Sequence, residues 1–184
     1  MQFIDLKSQY SLIKEDVLKS IETVLDHGQY IMGPEVIELE ENLAHFVGAK
    51  YCVSCSSGTD ALLMALMALD IGPGDAVFTT PFTFVATAEV ISLVGATPVF
   101  VDIDSQTFNI DSQKLAIEVK RISEVGNLTP KAIIPVDLFG LPADYSSIQT
   151  IANEYNFFVI EDAAQGFGGS INGQKAGSFG DVAA

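Results

Sequence analysis

Four short stretches combine residue types that could hold or act on a ligand. The first is Ser56-Ser57-Gly58-Thr59-Asp60-Ala61-Leu62, where small and hydroxylic residues run straight into a helix-forming segment. Unpaired amides at a helix start, together with the positive end of its dipole, make a cradle for phosphate. Gly58 would permit close backbone approach and Thr59 would add a hydroxyl donor. Ordinary capping by Ser57 or Thr59 explains the same residues. The second stretch, Thr79-Thr80-Pro81-Phe82-Thr83-Phe84, places two aromatics after an apolar run, where either could stack on a flat ring or simply fill core. The third, Pro135-Val136-Asp137-Leu138-Phe139-Gly140, carries a carboxylate into a loop. The fourth, Val159-Ile160-Glu161-Asp162-Ala163-Ala164-Gln165, sends two acids into a run of small residues. A buried carboxylate needs a partner. The protonated ring nitrogen of a cofactor is one candidate, and a hydrogen-bonded structural aspartate is the other.

A phosphate cradle, an aromatic plate and a strand-end aspartate are the parts that would hold pyridoxal phosphate. An anion beside the pyridine nitrogen keeps it protonated, which makes the ring an electron sink. A competing arrangement would use Asp102, Asp137 and Asp162 as ligands of a divalent metal in a phosphotransferase. That reading leaves Gly58, Thr59 and Gln165 without a role. A third possibility is a ligand-binding or regulatory protein without turnover. No Walker A or G-x-G-x-x-G pattern occurs, and Gly72-Pro73-Gly74-Asp75 reads as a turn. Cys52 and Cys55 form one C-x-x-C, with no second pair to complete a zinc site, so small buried side chains within a strand are expected.

The elements that would position these stretches follow from periodicity. Leu12, Ile13, Val17, Ile21, Val24 and Leu25 trace a helical stripe that stops at Gly28, and Pro34 with Glu35 opens a second helix carrying Val36, Leu39, Leu43 and Phe46. Five apolar runs read as buried parallel strands: 51–54, 76–80, 97–101, 131–136 and 157–161. Helices are expected between them at 59–69, 84–93, 111–121 and 146–155. This alternation predicts an α/β three-layer sandwich, with residues 1–50 as a helical lead-in and 51–184 as the main domain. Residues 168–177 read as a hairpin, in which Lys175 is expected to be a solvated cation, and 181–184 as the opening of a further strand. An end at that point suggests a piece of a longer protein.

The 184 residues are 48% apolar, enough for one sizeable core. Nine Lys and Arg against 24 Asp and Glu leave a net charge of −15, which argues against a nucleic-acid or anionic-membrane surface. The opening residues lack a basic and apolar leader, and the longest apolar run, 61–69, is too short to span a bilayer, so a cytoplasmic location is expected.

The chain resembles the N-terminal part of the DegT/DnrJ/EryC1/StrS family, the pyridoxal-phosphate-dependent aminotransferases of nucleotide-linked keto-sugars. The resemblance rests on Phe3-Ile4-Asp5-Leu6-Lys7, residues 28–34 (GQYIMGP), 57–62 (SGTDAL), 83–87 (TFVAT), 98–104 (PVFVDID) and 160–165 (IEDAAQ), all in family order. It implies the large domain of a fold-type I aminotransferase built round a mixed sheet, incomplete at its C-terminal end, in a homodimer with shared active sites. It further implies that the amides of Gly58 and Thr59 bind the cofactor phosphate and that Phe84, with Phe82 as second choice, stacks on the ring. Asp162 would pair with the ring nitrogen and Gln165 would lie near the 3-hydroxyl. The Schiff-base lysine of the family is expected beyond Ala184. Residues 27–31 and 48–55 look most like enzymes acting on UDP-linked 3-keto sugars, with L-glutamate as amino donor, in surface-polysaccharide synthesis.

Overall fold

Asp5 accepts the Ser8 amide and opens helix α1 (Leu6–His27), which closes at Gly28 with φ +70°. Pro34 occupies the first turn of α2 (Pro34–Val47), where its missing N–H costs nothing. Both boundaries fall where the pattern places them. In the computed structural model, residues 4–184 are described; Phe3 of the opening motif lies outside them.

The remaining elements are α3 (Gly58–Ala68), β1 (Asp75–Thr79), α4 (Ala86–Leu93), β2 (Thr97–Phe100), α5 (Ser112–Val125), β3 (Thr129–Ile134), α6 (Tyr145–Tyr155) and β4 (Phe158–Glu161). A hairpin, β5 (Ser170–Ile171) and β6 (Gln174–Lys175), turns at Asn172-Gly173, both with positive φ, and β7 (Val182–Ala183) follows. The main sheet runs β2-β1-β3-β4-β7 and every pairing in it is parallel, so this part of the sheet is not mixed.

One expected strand is not formed. Residues 51–57 are irregular and pair with no strand among the described residues. The Ser54 amide and hydroxyl instead meet Glu40 Oε1 of α2 at 2.7 and 2.8 Å. The cysteines therefore are not buried strand residues: Cys55 is exposed, Cys52 half-buried, and both are free.

Side chains alternate across the sheet with period two and separate two apolar layers. Ala76, Phe78, Ile133 and Val159 face α5 and α6, with Leu115, Val119 and Ile148 packed on them. Val77, Ala132, Ile134 and Ile160 face α3 and α4, with Leu62, Leu66, Val90 and Ile91. The three-layer sandwich is thus realised, and each fully buried aliphatic side chain contributes about 1.5–3 kcal/mol. From β1 the chain crosses to β2 on one side and returns to β3 on the other. Ligands of open α/β sheets bind at such a reversal, beyond the strand ends.

Candidate cofactor site

Beside that reversal, the exits of β1 and β3 are stitched by the Thr79 hydroxyl, which donates to the Ile134 carbonyl at 2.8 Å. The exits of β3 and β4 are joined in turn: the Asp162 amide donates to the Pro135 carbonyl, and the Asp137 amide to the Asp162 carbonyl, each at 3.0 Å. Alternation past the end of β4 sends Glu161 to the α6 side and Asp162 to the α4 side. Both acids are buried.

Asp162 Oδ2 accepts the Thr87 hydroxyl at 2.8 Å, and Thr87 lies 3.0 Å from the Thr83 hydroxyl. Its other oxygen has only a long contact, 3.4 Å, from the Ala164 amide. Burial raises the Asp162 pKa, against the lowering effect of the Thr87 and Ala164 bonds, and no cation offsets it. A carboxylate held in this way is short of a positive partner. The cationic edge of a pyridinium ring fits that demand.

Phe84 stands between Thr83 and the start of α4, at the same edge as the Thr83–Thr87–Asp162 chain, and is 68% exposed. Phe82 is committed elsewhere, with Phe108 and Phe139 at centroid distances of 5.9 and 6.3 Å. Phe84 is therefore the freer plate. The helix start is also ready for an anion. Ser57 spends its side chain on the Asp60 amide, while the Gly58 and Thr59 amides have no hydrogen-bond partner among the described residues. The Asp60 carboxylate, which would repel an anion, is bound by the Ser56 and Ser57 hydroxyls, and the Ser56 bond in particular holds its pKa below the usual range. A Cβ built on Gly58 meets nothing within 4 Å, so the protein itself does not require glycine there. Gln165 is exposed and its Oε1 accepts the Phe139 amide at 3.0 Å, which holds Phe139 at φ +56° and leaves the Gln165 NH2 as a donor.

The three metal candidates are not gathered. Asp102 pairs with Lys114 at 2.9 Å, Asp137 with the Tyr145 hydroxyl at 2.8 Å, and no group of three His, Cys, Asp or Glu residues is placed to hold a metal among the described residues. Lys175 is also not the solvated cation expected, since its ammonium sits 3.6 Å from the centre of the Phe46 ring. Thr87 escaped sequence reasoning as a contact of Asp162. The two residues are 75 apart in the chain, and no local pattern links them.

The model of the DegT/DnrJ/EryC1/StrS aminotransferase family matches residues 11–184. The chain belongs to this family. It is 53% identical, over its whole length, to the UDP-2-acetamido-2-deoxy-3-oxo-D-glucuronate aminotransferase of Pseudomonas aeruginosa, of which it covers 49%. A crystal structure of a DegT DnrJ EryC1 StrS aminotransferase from Brucella abortus superposes with a TM-score of 0.98 at 49% identity, over 100% of this chain and 49% of that one. NtdA from Bacillus subtilis with bound cofactor PMP superposes with a TM-score of 0.77 at 37% identity, over 89% of this chain and 36% of that one. The chain thus spans about half the length of the curated relatives it matches. Its fold is that of the fold-type I sugar aminotransferases, and pyridoxal phosphate is the cofactor expected of the family.

Proposed function

We propose that the protein carrying this chain is a pyridoxal-phosphate-dependent aminotransferase that moves an amino group from L-glutamate to the ketone of a nucleotide-linked sugar. A UDP-linked 3-keto sugar on the way to a modified surface polysaccharide is the favoured substrate. The observation that carries the reading is Asp162, a buried carboxylate fixed by Thr87 and lacking a cation. In the bound state the cofactor supplies an electron sink, and this chain's residues hold it. Asp162 keeps a proton on the ring nitrogen, the Gly58 and Thr59 amides bind the phosphate, Phe84 covers one ring face and the Gln165 amide donates toward the 3-hydroxyl. The aminotransferase named for P. aeruginosa, which acts on a UDP-linked 3-oxo sugar, supports the choice of substrate.

We also propose a cytoplasmic homodimer. No helix among the described residues is long and apolar enough to cross a membrane. Helix α1 buries none of its side chains within the chain, and Tyr30, Ile31 and Met32 beyond it are 62–90% exposed, as a surface awaiting a second subunit would be.

Incubating the complete protein with pyridoxal phosphate, L-glutamate and a UDP-3-keto sugar should release 2-oxoglutarate and an amino sugar in equal amounts. A dTDP-linked 4-keto sugar should react far more slowly. Cofactor binding without amino transfer to any keto-sugar would contradict the enzymatic reading.

A further inference from the structure

Beneath Asp162, on the opposite side of the sheet, lies a cluster that the cofactor reading does not use. Asp137 and Glu161 are both fully buried, and Tyr145 from α6 is 6% exposed. Asp137 Oδ1 accepts the Tyr145 hydroxyl at 2.8 Å and the Ala143 amide at 3.0 Å. Asp137 Oδ2 has no donor among the described residues. It presses on Gly166, where a Cβ would stand 2.7 Å from it, so no side chain at 166 could serve it. The Glu161 carboxylate shares this pocket: the Tyr145 ring, whose hydroxyl meets Asp137, stacks at 4.6 Å on Phe179, whose amide meets Glu161, and the Asp137 amide bonds the carbonyl of Asp162, the next residue after Glu161. Glu161 itself is filled with donors, from the amides of Gly177, Phe179 and Gly180.

Two adjoining buried carboxyls, one surrounded by amide donors and the other with an orphan oxygen, have one economical arrangement. The donor-rich group is the anion, and the orphan oxygen carries a proton pointed at it. We propose that Asp137 is a positioning residue, a neutral acid whose proton bridges to Glu161 and clamps the exits of β3 and β4 and the 177–180 segment together under Asp162. The clamp acts at three places. The Asp137 amide holds the Asp162 carbonyl, Glu161 is the neighbour of Asp162 in the chain, and the segment that Glu161 anchors leads directly into β7. The bridge itself does not depend on what binds at Asp162.

The direction of titration agrees with this arrangement. Burial, the largest cause, and the nearby Glu161 raise the Asp137 pKa to about 7, against the lowering bonds from Tyr145 and Ala143. The other titratable group facing Asp137 is Tyr145 from α6, which in turn feels Asp162 just past the end of β4, and no cation contributes. Below the unfolded-state value, both folded and unfolded Asp137 hold the proton. Between that value and about 7 only the folded state does, so this group's contribution to stability falls as pH rises through that window and is level above it.

The direct test is a carboxyl 13C titration of the complete protein, with Asp137 assigned through Asp137→Asn. The clamp predicts a midpoint near 7; a midpoint in the usual aspartate range overturns it. The second measurement compares urea unfolding of the wild type and Asp137→Asn from pH 4 to 8. Asparagine keeps an acceptor for Tyr145 and supplies a permanent N–H to Glu161. The folding constant of the variant relative to wild type should therefore climb by up to about a thousand-fold between pH 4 and 7 and then level off. A ratio independent of pH would overturn the shared proton. For positioning, amide exchange at Asp162 and Phe179, corrected for its intrinsic pH dependence, should quicken through the same window in the wild type and not in the variant; identical profiles would overturn that role. Failure of the protein to bind pyridoxamine phosphate would remove the cofactor reading and leave all three measurements interpretable.

Discussion

Replacing Thr87 with valine removes one hydroxyl from a fully buried site while nearly conserving shape, and the loss falls on Asp162. A hydrogen bond to a charged group is worth about 1.5–3 kcal/mol. Because this one stabilises the ionised carboxylate, its loss should lift the Asp162 pKa by about one to two units, at 1.36 kcal/mol per unit. That adds to the upward push of burial. An acid whose folded pKa is raised loses stability as pH climbs from its unfolded to its folded value, so Thr87→Val should extend that loss to higher pH. The assay is a carboxyl 13C titration of the cofactor-free protein for wild type, Thr87→Val and Thr87→Ser. Valine should shift Asp162 upward and weaken pyridoxamine phosphate binding by about 10- to 100-fold. Serine, which keeps the hydroxyl, should stay close to wild type. An Asp162 midpoint unchanged or lowered in the valine variant would refute the reasoning.

Four further outcomes are expected. Gly58→Val should leave the unfolding midpoint of the cofactor-free protein within about 1 kcal/mol of wild type, since a Cβ there meets nothing, yet it should weaken retention of the cofactor phosphate; Thr59→Val should cost that retention about 1.5–3 kcal/mol, the worth of one charge-assisted bond, as read by isothermal titration. Gly166→Ala should lower the thermal midpoint strongly, because its Cβ would lie 2.6 Å from the Asp137 Cβ with no flexible tip to move aside. Leu66→Ala, at a position with no exposed area, should destabilise by about 2–5 kcal/mol in urea unfolding, through lost burial and the cavity left behind.

The elements most legible in the sequence are those with local determinants. Pro34 and Gly28 mark helix ends through backbone geometry that each residue carries by itself. The runs that became β1, β3 and β4 are apolar because both of their faces are covered, which a one-dimensional pattern records. Residues 51–54 have the same apolar character, but a strand also needs a neighbour, and periodicity carries no information about that. Lys175 was misjudged for a related reason, since its partner Phe46 lies far back in the chain. The choice of Gly58, Thr59, Phe84, Asp162 and Gln165 as a site rests on strand ends being where α/β sheets hold ligands, although the run before Gly58 forms no strand. The bond from Thr87 to Asp162 spans 75 residues, and the placing of Asp137 near Glu161 depends on the register of Val136 against Asp162, so neither leaves a local trace.

The central claim is that Asp162 serves a protonated pyridine ring. Pyridoxamine phosphate tests it without any need for a covalent link to lysine. The 15N shift of its ring nitrogen, measured bound to the wild type and to Asp162→Asn at mildly alkaline pH, reports ring protonation directly. The account predicts a protonated nitrogen in the wild type and an unprotonated one in the variant, with the phosphate still bound at Gly58 and Thr59. The same ring protonation in both proteins would contradict it.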